Sequence, residues 1–469
     1  MQIQLSDKFS YGKLIRFTLP SIAMMVFTSI YSIVDGFFVS NFVDKEAFTA
    51  VNFIFPFIMI LGAIGFLFGT GGSAYISKKL GEGKGDDARR TFTMLIYVSF
   101  ILGIVAAVLG IFLLRPVASL MGATGEMLED CVVYGTVILL SLPFFIMQNA
   151  FQSLFITAEK PKLGFLVTLG AGITNMVLDA LFVGIFRWGL VGAAAATSLA
   201  CTVGGIAPLI YFAKKRSSIL YFVPAAPDFK ALLRITVNGS SEFLANISMS
   251  LVGMLYNTQL MHYAGNDGVA AYGVLMYVNF IFIAVFIGYA IGVAPVVGYH
   301  YGAGNKRELR SILLKSVVII SITSVLMFII AETFALPLSA IFVGYDKVLL
   351  DMTVRAFYIS SFSFIFAGLA IFSSSFFTAL SDGITSAILS FLRTLVFQTS
   401  MVIFLPPIIE SMALPFAIPL DGIWVSVPIS ELLALLVGLV FLVLYRHRFG
   451  YAKSDAVDSD ELCEVKNEL

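Results

Sequence analysis

Two aspartates inside long apolar stretches are the residues of this sequence best suited to chemistry. Asp35 and Asp179 stand among residues that a membrane would accept, and Asn175 precedes Asp179 by four positions, so these two share one helix face. A charged side chain costs about 2.5–3.5 kcal/mol at the centre of a bilayer, so a carboxylate kept there has a functional role by default. Such oxygens suit a hard monovalent cation or a proton.

A third acidic residue, Glu242, is a candidate to attract a cationic substrate or to hold a proton within a later apolar stretch. The alternative is a structural pair with Arg393 or with a polar neighbour, Asn238 or Asn246. For Glu431, a further carboxylate in an apolar run, we expect a structural role.

The stretches that must position these residues are membrane helices. Of 469 residues, 59% are hydrophobic and 12% are charged, against about 25% charged in soluble domains, which excludes a soluble class. A bilayer core of ~30 Å needs ~20 apolar residues per helix. Twelve such runs lie near 14–40, 51–77, 91–114, 132–157, 163–186, 189–213, 235–260, 270–299, 312–334, 354–379, 384–408 and 419–445. The predicted fold is an all-α membrane protein with twelve transmembrane helices.

The distribution of Lys and Arg predicts the orientation of these helices. With the N-terminus inside, the inner segments contain 23 of these residues and the outer loops contain 4. Both termini are therefore expected in the cytoplasm. We also expect the protein to be a monomer in the cell membrane, surrounded by lipid. The segment 1–13 is polar and the following apolar stretch is too long for a signal peptide, so we expect it to remain as the first helix. Zero net charge argues against a nucleic-acid partner.

In this orientation, three oxygen-bearing residues lie at a similar depth. At 1.5 Å per residue, Asp35 is roughly 8 Å, Asp179 roughly 10 Å and Thr197 roughly 12 Å below the outer surface. Three helices thus bring oxygen ligands to one level, although a hydrogen-bonded packing cluster is the alternative. On the fourth helix, Asn149 and Gln152 are compatible with either a ligand role or a packing role.

The second half of the chain repeats the first at a constant spacing, so that Gly71 matches Gly292 and Gly81 matches Gly302. We call this spacing the repeat offset. Each repeat has six helices, an even number, and both copies therefore enter the membrane in the same orientation. The prediction is two six-helix bundles related by a pseudo-two-fold axis along the membrane normal. The predicted divisions are an N-terminal lobe (1–213), a cytoplasmic linker (214–234), a C-terminal lobe (235–448) and a disordered cytoplasmic tail (449–469).

The repeat is broken at the acidic positions. The counterpart of Asp35 is Tyr256, and the counterpart of Glu242 is Ser21. Each half therefore has an acid where the other half has none.

Several other chemistries are not indicated. The cysteines Cys131, Cys201 and Cys463 form no CxxC pair, and we expect them to be buried or tail thiols. The glycine-rich segment 69–73 follows no strand and is interpreted as a helix-packing patch rather than a phosphate loop. No cofactor is expected, and no nucleophile–base set indicates an enzyme.

At this point the sequence resembles the multidrug and toxic compound extrusion (MATE) family, over essentially residues 10–448. The resemblance is carried by the twelve helices in two repeats, the segments Tyr31–Asp35 and Asn175–Asp179, the Gly-x-Gly turns after helices 2 and 8, and Thr157-Ala158 at the end of helix 4. The resemblance is to prokaryotic members that have an aspartate in helix 5.

What the resemblance implies is export coupled to Na⁺ or H⁺. It implies a cation site in the N-terminal lobe made by Asp35, Asn149, Asn175, Asp179 and Thr197, with the two aspartates as ligands of the metal if Na⁺ drives transport. Another branch of the family uses carboxylates of helices 7 and 10. Helix 7 has a matching acid in the C-terminal lobe, but helix 10 has no acid between positions 361 and 378.

The leading hypothesis is an antiporter in which cation entry at Asp35 and Asp179 drives release of an organic, cationic and amphipathic small molecule. Glu242 and Gln152 are the candidate substrate-binding residues. One alternative is a lipid-linked oligosaccharide flippase, which would need Lys or Arg to line its cavity for pyrophosphate. Another is a channel or sensor without coupled transport.

Overall fold

The computed structural model describes residues 3–43, 45–214, 218–412 and 418–452, and helix is the regular structure found throughout these ranges. We number the twelve membrane-crossing units α1 to α12, and define the N-lobe as α1–α6 and the C-lobe as α7–α12. In chain order they are α1 (Tyr11–Phe42), α2 (Lys45–Gly81), α3 (Gly85–Met121), α4 (Gly125–Leu140 and Leu142–Thr157), α5 (Pro161–Asp179 and Ala180–Ile185), α6 (Gly189–Ala213), α7 and α8 (229–264 and 266–302, the two parts of Phe229–Gly302), α9 (Lys306–Val343), α10 (Lys347–Ser360 and Ser363–Ala379), α11 (Gly383–Phe391, Leu392–Phe397 and Gln398–Met412) and α12 (Pro419–Leu444).

The number of crossings agrees with the twelve predicted from sequence. Within the described residues, nine helices are long and apolar enough to span a membrane, and two further bent pairs each make one span. The longest helix has 74 residues, and Gly265 interrupts it with φ 60° and ψ −148°. That backbone conformation is open to glycine and strained for other residues. The long helix therefore counts as two crossings, which brings the total to twelve.

Two of the crossings are sharply bent within the apolar run. The halves of α4 meet at 58°, at Ser141, and Pro143 follows in the first turn of the second half. Proline has no N–H to continue the helix, which explains the break. The halves of α10 meet at 48° without a proline, and there the hydroxyl of Ser361 donates to the carboxylate of Glu332 on α9.

The two lobes approach each other closely at the end that carries the α2–α3 and α8–α9 turns, which we call the inner end. A Cβ placed on Gly81 would overlap the carbonyl of Tyr299, and a Cβ placed on Gly302 would overlap the carbonyl of Lys78. These two contacts are related to each other by the repeat offset. The repeat detected in the sequence is therefore also a repeat of the interface between the lobes.

The same symmetry holds further along the interface. Gly71 of α2 faces Gly239 of α7, where an added Cβ would lie 2.8 Å from the backbone nitrogen, and Gly292 of α8 faces Thr18 of α1 at 3.0 Å. The inner part of α1 thus packs against the C-lobe, and the inner part of α7 packs against the N-lobe. These glycines allow close helix approach, and Gly71 belongs to the 69–73 segment interpreted as a packing patch.

The segment that precedes α1, residues 3–10, connects the two lobes at the inner end. Leu5 and Phe9 are each 1% exposed. The backbone N–H of Leu5 donates to Glu159 Oε1 in the α4–α5 turn at 2.7 Å, and that of Phe9 donates to Glu308 Oε1 at 2.8 Å. Lys315 of α9 donates to the carbonyl of Phe9. The segment therefore contacts the N-lobe on one side and the C-lobe on the other.

The joins differ in detail from the sequence prediction. Helix α7 begins at Phe229, within the predicted linker 214–234, because Asp228 caps it by accepting from the backbone N–H of Ala231 at 3.0 Å. Of the predicted tail, Phe449 and Tyr451 are buried, and the Tyr451 hydroxyl donates to the Leu442 carbonyl at 2.8 Å. The remainder of that tail, 453–469, and residues 215–217 of the linker lie outside the described residues.

Candidate functional site

Three of the residues predicted to form a cation site are hydrogen-bonded to one another in the N-lobe. The hydroxyl of Thr197 on α6 donates to Asp35 Oδ1 on α1 at 3.2 Å. The amide Nδ2 of Asn175 on α5 lies 3.3 Å from Thr197 Oγ1 and 3.5 Å from Asp35 Oδ1. Three helices that are separate in sequence therefore meet at this point through their polar side chains.

Asp179 completes this group from one turn further along α5. It is fully buried, and its carboxylate interacts electrostatically with that of Asp35. Neither oxygen of Asp179 has a hydrogen-bond partner among the described residues. Directly after it, residues Ala180–Ile185 form π-helical turns, a rare geometry that is frequent at functional sites.

The free oxygen atoms at this site are acceptors. Asn175 directs its amide nitrogen to Asp35 and Thr197, so its buried Oδ1 is left without a partner in the described part of the chain, as are both oxygens of Asp179. Two neighbouring carboxylates repel one another when both are ionised. A cation bound between these oxygens, or a proton on one of the carboxyl groups, removes that repulsion and satisfies the acceptors.

The three helices that form this site carry no basic residue near it. No Lys or Arg occurs in α1 after Arg16, in α5 between Lys162 and its end, or anywhere in α6. Buried carboxylates are normally paired with a cation. The three helices that carry this site therefore offer no basic side chain near Asp35 and Asp179 to balance their charge.

Three further side chains surround the carboxylates and were not singled out from the sequence. Tyr134 on α4 interacts electrostatically with both aspartates, and Tyr31 on α1 and Cys201 on α6 interact with Asp35. Tyr31 and Cys201 could have been found, because each lies four positions from a site residue on the same helix face. Tyr134 could not, because its approach depends on how α4 packs.

Asn149 and Gln152 do not join the hydrogen-bonded group. Both are buried, at 5% and 4% exposed. Asn149 packs against α2 at Gly65, where an added Cβ would lie 2.8 Å from the Asn149 Cβ. Its Nδ2 and the Oε1 of Gln152 have no hydrogen-bond partner within the described ranges. The two residues stay candidates as ligands, apart from the group around Asp35.

The C-lobe has its own charged cluster, formed by one residue from each of three helices. Arg393 on α11 donates from Nε to Glu431 Oε2 on α12 at 2.8 Å, with 18% and 4% of these side chains exposed. Glu242 on α7 is half-buried and interacts electrostatically with Arg393. The structural role expected for Glu431 is thus a pair with Arg393. Asn246 donates instead to the backbone carbonyl of Glu242 at 2.8 Å.

The C-lobe counterpart of the Asp35–Thr197 contact is uncharged. Tyr256, the repeat counterpart of Asp35, is 2% exposed, and its hydroxyl lies 2.7 Å from that of Ser426 on α12. In both lobes, therefore, the first helix is joined to the sixth by a side-chain hydrogen bond. Only in the N-lobe does this bond include a carboxylate.

Twelve helices form two repeated lobes, and one lobe buries two carboxylates that have no basic partner in the part of the chain that the structure describes. These features define a membrane transporter. The MatE family model matches residues 20–181 and, a second time, residues 243–404. The chain therefore belongs to the MatE family, as the resemblance of its motifs predicted, and the double match agrees with the internal repeat.

Characterised relatives and solved structures match nearly the whole chain. It is 26% identical over 464 residues to the multidrug export protein MepA of Staphylococcus saprophyticus, covering 97% of this chain and 99% of that protein. It is 25% identical over 455 residues to MepA of Staphylococcus aureus strain MRSA252, covering 97% of each. A crystal structure of MATE in complex with MaL6 has a TM-score of 0.88 at 23% identity, covering 95% of this chain and 98% of that one.

Proposed function

We propose that this protein is an antiporter that exports organic, cationic and amphipathic compounds across the cell membrane in exchange for Na⁺ or H⁺. The observation that carries the proposal is the N-lobe group: Asp179 is fully buried with two unpartnered carboxylate oxygens among the described residues beside a second carboxylate. A site that needs an external cation to be neutral is suited to binding and releasing that cation in each cycle.

The helix that carries Asp35 provides a route from this site to the interface between the lobes. Near one end of α1, Asp35 contacts α5 and α6, and near the other end Thr18 packs against Gly292 of the C-lobe. A cation that draws Asp35 towards Asp179 changes how α1 lies on the N-lobe. Helix α1 runs from Tyr11 to Phe42 with Pro20 inside it, where a backbone hydrogen bond is lost and the helix can bend. The change at Asp35 reaches the interface through this helix, and it supports alternating access by relative motion of the lobes.

With both termini in the cytoplasm, the inner end is the cytoplasmic end, and the close contacts there correspond to a state that is closed towards the cytoplasm. In that state the cation enters the N-lobe from outside and the organic compound is released. In the opposite state, Glu242 of the C-lobe attracts the positive charge of the organic compound from the cytoplasm, and Gln152 of the N-lobe provides a polar contact. The protein acts as a monomer, because each lobe contributes one of the two charged groups.

The relatives support the export of small organic molecules, since both staphylococcal proteins are named multidrug export proteins. The flippase alternative is less well supported, because the deep guanidinium of Arg393 is already paired with Glu431 and is not free for pyrophosphate. A channel would pass current faster than any transport cycle, and electrical recording distinguishes it.

The test is transport in proteoliposomes with Na⁺ and pH gradients imposed separately. Wild-type protein is expected to accumulate a fluorescent organic cation under one of the two gradients, and Asp179→Asn is expected to lose the gradient-driven part. Asp267→Asn, the same change at an exposed position at the α7–α8 turn, is the matched control and should transport like wild type. Undiminished coupled transport by Asp179→Asn would exclude that residue from coupling.

A further inference from the structure

The charged cluster of the C-lobe has one negative charge that its own arginine does not balance. Arg393 pairs with Glu431 at 2.8 Å, and 4% of Glu431 is exposed. Glu242 interacts with the same guanidinium but makes no ion pair to it among the described residues. Two carboxylates and one guanidinium sum to one negative charge, and the half-buried Glu242 is the member that an incoming group can reach.

The corresponding three helices of the N-lobe hold their acidic residues at other positions along the helices, and the comparison shows what the arginine adds. Helices α1, α5 and α6 bring Asp35 and Asp179 together with no basic residue in α1 after Arg16, in α5 after Lys162 or in α6. Their repeats α7, α11 and α12 bring Glu242 and Glu431 together around Arg393. The arginine stands within the π-helical turns Leu392–Phe397 of α11. Such turns insert an extra residue into the helix and redirect side chains at functional sites. The C-lobe therefore carries internally the positive charge that the N-lobe must take up.

We propose that Arg393 is a specificity-determining residue: by neutralising Glu431 it leaves Glu242 as a single uncompensated carboxylate, which sets the C-lobe to accept organic monocations in preference to dications. This inference rests on the proposed function, in which Glu242 receives the positive charge of the exported compound. Arg393 itself does not touch the compound. It acts by fixing the net charge that the compound meets.

A series of variants changes that net charge in unit steps. Arg393→Gln gives two negative charges, wild type gives one, and Glu431→Gln gives none, since Arg393 is then free to neutralise Glu242. The double variant Arg393→Gln/Glu431→Gln returns the cluster to one negative charge although both pair members are lost. Binding of a cation follows the net charge of its site when the charges are partly shielded from water.

The probes are ethidium, a monocation, and propidium, a dication with the same ring system, measured by equilibrium binding to purified full-length protein in detergent. Relative to wild type, Arg393→Gln is expected to raise the ratio of propidium affinity to ethidium affinity on the order of tenfold. Glu431→Gln is expected to weaken ethidium binding on the order of tenfold, and the double variant is expected to return ethidium binding to within about threefold of wild type.

The rescue separates charge from structure. If the pair served only to hold α11 against α12, the double variant would bind no better than Glu431→Gln, and that result overturns the inference. An unchanged preference between the two dyes across the series also overturns it. If Arg393→Gln fails to fold because it leaves Glu431 buried and unpaired, the comparison of Glu431→Gln with the double variant still decides.

The failure of the inference can be told from the failure of the proposed function. Binding in detergent needs no gradient, so the loss of coupling in Asp179→Asn leaves the series readable. A Glu242→Gln variant that binds both dyes like wild type overturns the assignment of Glu242 to the substrate. If Glu242→Gln loses ethidium binding but the Arg393 and Glu431 variants do not change binding as predicted, only the role given to Arg393 is overturned.

Discussion

Ser77 and Gly298, which are equivalent residues of the two repeats, lie against each other at the interface between the lobes, where a Cβ on Gly298 would overlap the Ser77 hydroxyl. The repeat offset that pairs Gly71 with Gly292 also pairs these two. Equivalent residues of two repeats meet only at the pseudo-two-fold axis, so this contact marks where the axis passes through the inner end.

Gly298→Ser places a hydroxymethyl group on both sides of the axis, and we expect it to disfavour the closed inner end. Overpacking of this kind costs about 1–3 kcal/mol, a shift in population of about fivefold to more than a hundredfold. Spin labels at the exposed turn residues Lys84 and Lys306 should show a longer distance in the variant. Adding Ser77→Gly exchanges the two residues across the axis, and it should restore the wild-type distance. An unchanged distance in Gly298→Ser would contradict the prediction that the close fit of Ser77 and Gly298 is needed for the closed inner end.

Thr197→Val removes the hydroxyl that donates to Asp35 while keeping the shape of the side chain. A hydrogen bond of this type contributes about 0.5–1.5 kcal/mol, so the concentration of coupling ion needed for half-maximal transport should rise about three- to tenfold. Thr197→Ser keeps the hydroxyl, and the coupling-ion concentration for half-maximal transport should change little. Thr202→Val on the same helix is the control, because that hydroxyl returns to the Ser198 carbonyl at 2.8 Å. Equal effects at both positions would show that the site does not use the hydroxyl of Thr197.

The carboxyl group of Glu159, in the turn after α4, has a pKa raised above 4.5, chiefly because it is buried, although the Leu5 N–H lowers it in part. The folded protein thus holds the proton more tightly than the unfolded chain. This contribution to stability is present at low pH and is lost as the pH rises through the raised pKa. Glu159→Gln should remove that loss.

The measurement is the thermal stability of wild type and Glu159→Gln in detergent, between about pH 4 and 7. The difference between them should change with pH in favour of the variant as the pH rises. Glu126→Gln, at an exposed position, should follow wild type throughout. A constant difference between wild type and Glu159→Gln would mean that Glu159 titrates equally in the folded and unfolded states.

Asp421→Asn should destabilise the C-lobe by about 1–3 kcal/mol, because the guanidinium group of Arg355, which donates to both oxygens of Asp421, then loses a charged partner. The two bonds measure 2.8 and 2.6 Å, and 5% of Asp421 is exposed. The exposed pair Arg115–Glu129, with 55% and 59% exposure, provides the contrast, since Glu129→Gln should cost under about 1 kcal/mol. Both are measured as shifts in melting temperature. Equal shifts would show that burial does not strengthen the first pair.

The crossings and the repeat could be predicted from sequence because the lipid allows few alternatives. A backbone without water must be helical, and the ungapped repeat offset placed Gly81 and Gly302 in equivalent positions. The bend at Ser361 could not be predicted, since the apolar run is continuous there and contains no proline. At the bend, Ser361 contacts Glu332 on another helix.

The sequence predicted the depth of the candidate site residues in the membrane but not which of them contact each other. The helix rise placed Asp35 and Thr197 at one depth, but depth does not fix the rotation of a helix about its axis. Rotation decides that Arg393 pairs with Glu431, where the sequence offered Glu242 as its partner, and it decides that Tyr134 approaches the aspartates. These relationships arise from packing between helices distant in sequence.

The contacts of Leu5 and Phe9 have a practical consequence for work with this protein. Residues ahead of the first membrane helix are commonly treated as free space for affinity tags, and their trimming is commonly treated as neutral. Here that stretch is hydrogen-bonded to both lobes, through Leu5 to the N-lobe and through Phe9 to the C-lobe. Any redesign of the amino terminus therefore disturbs contacts with both lobes.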